Sequence, residues 1–217
     1  MRTTDATSPS KRSFPELRDF LEKEILGAEY PVKHLIEQAR SKGFISKGKP
    51  GRGGAKVTSR DVAILIVGAL GGDTPQAATE MMGLIVDLSA KDTGFSVHFP
   101  EFGPADDWWD AAFLDAICHL IDDNRRNPEV HMDHLNVTVV RKPVFYAEIS
   151  WEDHPGERDA FVSYCLPQQD ERKHLSKGRR VLRASINGDY LRIAADWLEN
   201  RSPYCETGPY RDLGRAT

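Results

Sequence analysis

Cysteine is scarce in this 217-residue chain, and Cys118, Cys165 and Cys205 stand far apart. Their odd number and the lack of any Cys-x-x-Cys spacing exclude a disulfide framework, a zinc ribbon and a thioredoxin-like pair, and fit a reducing, cytoplasmic setting. Long apolar runs are missing as well. The best, over 62–70, falls far short of the ~20 residues that a membrane-spanning helix needs. The first dozen residues contain no apolar segment, so 1–12 are read as a disordered leader, not a secretory signal. The run Gly-Lys-Pro-Gly-Arg-Gly-Gly over 48–54 lacks the Gly-Lys-Ser/Thr ending of a phosphate loop. No G-x-S-x-G, H-E-x-x-H or dinucleotide fingerprint occurs. No enzyme activity, cofactor or metal is expected.

Acid is missing from one place in particular. Between Arg40 and Arg60 there are seven basic residues and no Asp or Glu. The net charge of −4 hides a segregation: residues 1–60 carry 13 Lys/Arg against 7 Asp/Glu, residues 61–170 carry 6 against 20, and residues 171–217 carry 10 against 6. Such asymmetry points to one region that meets a polyanion and another that a polyanion repels.

Apolar periodicity predicts helices over 14–28, 31–42, 58–71 and 76–89, with Ser13 and Thr58 or Ser59 as caps and Gly27, Gly43 and Gly71-Gly72 as stops. The basic stretch between the second and third helices is too rich in Gly and Pro to be helical, and reads as a hairpin with a flexible tip. The character changes near 91–94, which is taken as a boundary. Beyond it a strand is expected over 96–102, a helix over 106–123, strands over 135–140, 144–151, 160–166 and 181–186, and a helix over 189–200. The expected fold class is α+β: a helical, winged-helix-like domain over 13–90, an acidic α+β domain with a small antiparallel sheet over 95–202, and a loose tail over 203–217.

A helix closing on Ala39-Arg40-Ser41-Lys42-Gly43-Phe44-Ile45, then a basic glycine-containing hairpin, then Val57-Thr58 leading into another helix resembles winged-helix regulators of the MarR type, over about residues 30–60. The resemblance implies that the helix before Gly43 enters the major groove and that the hairpin lies along the backbone or in the minor groove. Lys33, His34, Gln38 and Arg40 would face base edges or phosphates. Lys42, Lys47, Lys49, Arg52, Lys56 and Arg60 would bind phosphate whatever the sequence, with Arg52 suited to a narrow minor groove. The chain departs from the family in having one helix, not two, before that recognition helix. The alternative is a helix-turn-helix around Gly71-Gly72, with Gln76, Thr79 and Glu80 as readers. In general character, though through no motif, the chain is similar to regulators carried by prophages and mobile elements.

Other signals read as structural. His131-Met132-Asp133-His134 with His119 and His154 has weak metal spacing. Asp106-Asp107 and Asp122-Asp123 mark the ends of a helix. Glu148, Glu152, Asp153, Glu157 and Asp159 read as a solvated strand face and loop. Of Trp108 and Trp109, the second falls on the core stripe. Cys118 reads as a small hydrophobe.

The expected function is therefore sequence-specific binding of double-stranded DNA by a transcriptional regulator of bacterial or phage type, as a homo-oligomer with a dimer favoured. The rivals are a phage packaging or replication accessory protein, and a protein-binding adaptor or inhibitor acting through its acidic half.

Overall fold

A computed structural model describes residues 10–47, 55–95, 110–128, 132, 134–142, 145–151, 160–166 and 182–201. It has the mixed α+β architecture read from the sequence, helices first and then an antiparallel sheet. Helix α1 (Phe14–Phe20) begins at Ser13, whose backbone N–H and hydroxyl both donate to the Glu16 carboxylate, at 2.8 and 2.6 Å. It runs on as one π-helical turn (Leu21–Ile25). Helix α2 (Val32–Lys42) buries Val32, Leu35, Ile36 and Ala39, the stripe its spacing requires. Gly43 ends it in the left-handed region at φ 81°, so that the N–H of Phe44 reaches back to Ala39 C=O.

Helix α3 (Ser59–Gly71) has no polar face: Val62 through Val67 are all fully buried. A helix apolar all round must be covered all round. Helices α2 and α4 (Pro75–Ile85) cover one side, and helices α5 (Phe113–Arg126) and α6 (Asp189–Leu198) with part of the sheet cover the rest. The turn from α3 to α4 is tight because Gly72 lies against the backbone of Ala77 and Ala78.

The sheet holds β1 (Ser89–Phe95), β2 (Leu135–Lys142), β3 (Tyr146–Trp151), β4 (Ala160–Cys165) and β5 (Leu182–Asn187) in the order β1-β4-β3-β2-β5, antiparallel throughout. Leu135, Val137 and Val139, Ala147, Ile149 and Trp151, and Val162 and Tyr164 alternate along their strands and bury one face. Phe113 at the start of α5 meets Tyr164, ring centroids 5.1 Å apart. One cluster of buried residues runs from Phe14 to Leu198, so the segments 13–90 and 95–202 share a core with α3 at its centre. Among the described residues no helix is long and apolar enough to cross a membrane.

Several expectations change in detail. The stretch 91–94, read as a break, lies inside β1 and pairs with β4, because an edge strand can be built from polar residues and Gly when its partner supplies the ladder. Helix α4 ends at Ile85, not 89. Asp110 to Ala112 precede α5 without being helical, since helical hydrogen bonding starts from the C=O of Ala112. The expected strand 96–102, Trp108, Trp109 and the tail 203–217 lie outside the described residues.

Candidate nucleic-acid interface

The basic surface is built around a buried carboxylate. Asp61, in the first turn of α3, is 2% exposed. It accepts from the backbone N–H and hydroxyl of Ser46 at 2.8 and 3.1 Å, and from the backbone N–H and hydroxyl of Thr58 at 2.9 and 2.7 Å. Thr58 in turn caps α3 by accepting from Asp61 N–H. Both ends of the loop between α2 and α3 are thus fastened to one side chain, which brings Lys47 and Lys56 into the same neighbourhood. The acid that does this faces inward with its acceptor sites filled. A third strand of chain joins them: Ser10 N–H and hydroxyl donate to Val57 C=O, Val57 N–H donates to Arg12 C=O, and Lys56 Nζ donates to Lys11 C=O at 3.2 Å.

The ten residues expected to bind DNA separate into three groups. Lys33, His34, Lys42, Lys47 and Lys56 are exposed, and Arg60 is exposed but paired with Asp115 of α5 at 2.9 Å. Gln38 and Arg40 are committed to packing. The Gln38 side-chain carbonyl accepts from Thr79 of α4, and the Arg40 guanidinium lies 4.6 Å from the centre of the Phe14 ring. Lys49 and Arg52 lie outside the described residues. The hairpin expected over 44–57 rests on those same residues; its described flanks carry no strand, and Val57 bonds to Ser10 and Arg12 instead.

The exposed face of α2 also carries Glu37 and Ser41. The alternative readers on α4 are poorly placed: Thr79 is 1% exposed, with its hydroxyl donated to Pro75 C=O and Gln38, and Gln76 is bonded to Glu80.

A second polar group lies behind the first and was not foreseen from the sequence. The Ser59 hydroxyl donates to buried Asp122, and Arg125 bridges Ser59, Asp122 and Glu199, its N–H groups 2.6–3.1 Å from them. Beside it Arg201 bonds Asn124 C=O and pairs with Asp196, whose carboxyl is pushed up by burial against the opposing pull of Arg201 and Arg192. These groups tie the start of α3 to the ends of α5 and α6. Within the group each carboxylate faces a guanidinium, so the charges offset one another. Burial pushes the Cys118 thiol, on α5, up to about 12. Among the described residues no three His, Cys, Asp or Glu side chains come together as a metal would need. His131, Asp133 and His154 lie outside them.

Comparison with protein families, with curated proteins and with solved structures found nothing that matches this chain.

Proposed function

We propose that the chain binds double-stranded DNA through the loop joining α2 to α3 and the exposed face of α2, in the manner of a bacterial or phage transcriptional regulator working in the cytoplasm. The observation that carries this reading is the pairing of an acid-free basic stretch with an inward-turned Asp61. Seven cations between Arg40 and Arg60 meet no acid in sequence, and the carboxylate that follows them in the chain, Asp61, spends its acceptor capacity on the ends of the loop. A polyanion approaching this surface is met by Lys42, Lys47 and Lys56, to which Lys49 and Arg52 of the same stretch of sequence would add, and phosphate contact of this kind is independent of base sequence.

Base reading falls to the outer face of α2. Lys33 and His34 are free to reach a groove, and Lys33 lies roughly 14 Å along the helix from Lys42 at 1.5 Å per residue. Glu37 on the same face is repelled by phosphate and suits the amino group of cytosine. Gln38 and Arg40 hold α2 against α4 and α1 and act as positioning residues.

Fluorescence anisotropy of a labelled duplex titrated with the full chain tests the reading. Affinity that falls steeply with salt supports it, and absence of binding at low salt removes it. Selection from a randomised duplex library then separates two outcomes: enrichment of a motif supports base reading by α2, and none leaves backbone binding alone.

A further inference from the structure

Among the described residues strand β5 closes the sheet on its side and bonds only to β2. Gly188 N–H donates to Leu135 C=O. Hydrogen-bonded and non-bonded pairs alternate along an antiparallel ladder, so the residues of β5 bonded to β2 are Ile186 and Ala184, opposite Val137 and Val139. The backbone N–H and C=O groups of Arg183, Ser185 and Asn187 then point out of the sheet. Among the described residues none of these groups has a hydrogen-bond partner. The other edge is protected by its composition: β1 carries Lys91 and Asp92 and has a bulge between Ala90 and Asp92. In β5 there is no proline and a single charge, and its register shift falls at the Leu182 end, outside the run 183–187.

We propose that β5 pairs with β5 of a second copy of this chain, antiparallel about a two-fold axis through Ser185, joining the two sheets into one. In this register Ser185 stands opposite the second copy's Ser185, and Arg183 opposite the second copy's Asn187. Each outward N–H meets an outward C=O. The two arginines lie at opposite ends of the seam, so no like charges face each other, and each meets a neutral amide. On the helix-covered face Ala184 meets the second copy's Ile186. Both residues are half-buried in one copy, so the apolar core continues across the seam. The same surface is used by both copies, as a closed two-fold dimer requires. The inference stands whether or not the chain binds DNA.

Light scattering on the full chain should give a mass near twice 24.3 kDa. Ser185→Lys and Ser185→Glu each set like charges face to face at the axis and should weaken the dimer about tenfold or more. The Ser185 side chain is exposed, so circular dichroism should be unchanged. An equimolar mixture of the two variants should restore the dimer. In a hydrogen-bonded antiparallel pair the Cα atoms are about 5.5 Å apart, within disulfide range, so Ser185→Cys should cross-link on mild oxidation where the parent does not. A monomeric parent overturns the proposal, and so does a dimer that both charge variants leave intact. Failure of the mixture to re-associate, or of Ser185→Cys to cross-link, overturns the two-fold register.

Discussion

Removing the Asp61 carboxylate would leave the backbone N–H groups of Ser46 and Thr58 without their acceptor, along with two hydroxyls. Asp61→Ala should therefore cost roughly 2–4 kcal/mol in urea unfolding, more than an ordinary surface change, because buried donors are expensive to leave unmade. A cost near zero would mean that the loop ends are held by something else. Half of this arrangement was legible in the sequence: Thr58-x-x-Asp61 ahead of an apolar run is a capping signature. The Ser46 half was not, since no local pattern tells a side chain at the start of one helix to reach back fifteen residues. Cys118 shows the reverse, a residue whose packing against the core was readable from its place on the helix. With its thiol pushed up to about 12, native Cys118 should alkylate at pH 8 roughly 10³-fold more slowly than an unperturbed cysteine, speeding up about tenfold per pH unit. Peptide mapping by mass spectrometry reads this directly, and fast labelling at Cys118 would contradict the burial described.

At the scale of elements, α3 and α4 meet through glycine. A Cβ on Gly68 would press on the Met82 side chain, at 2.6 Å from its methyl carbon, and a thioether can move. A Cβ on Gly72 would fall 2.2 Å from the backbone nitrogen of Ala78, which cannot. Gly72→Ala should thus lose roughly 3 kcal/mol or more, at or above the top of the usual overpacking range. Gly68→Ala should lose much less, since the helix gains up to about 1 kcal/mol from Ala in place of Gly. Equal losses in chemical unfolding would show that the helices slide apart freely.

The helices with strong local signals, α2 and α3, were read almost to the residue, because caps and stops are local chemistry. Strand β1 was missed for the opposite reason: Lys91-Asp92-Thr93-Gly94 has turn composition, and only its pairing with β4 makes it a strand. The hydrogen bond from Thr79 to Gln38 also lies beyond a sequence reading, as it depends on how α4 crosses α2.

At the scale of the whole molecule, the described residues form one core. Its N-terminal and C-terminal parts are also joined where Trp197 of α6 stacks on Phe20 at 4.7 Å and accepts, through its backbone C=O, the Arg12 guanidinium that lies over its ring. A fragment ending near residue 90 would strip α3 of its cover by α5, α6 and the sheet. The intact chain should therefore unfold in a single transition, with far-ultraviolet circular dichroism and tryptophan fluorescence coinciding. Two separated transitions would restore the independent helical module that the sequence suggested. The expectation arose because α3 looks, in sequence, like the last core helix of a small domain; its all-round apolarity was the sign that two layers share it.

The most direct test of DNA binding is the salt dependence of affinity for the parent and for a variant with Lys42, Lys47 and Lys56 replaced by glutamine. Each phosphate contact contributes roughly 0.9 to the slope of log affinity against log salt, so the triple variant should bind more weakly and show a slope shallower by about two to three. A triple variant that binds duplex DNA as tightly as the parent at every salt, with the same slope, would contradict the assignment of this surface.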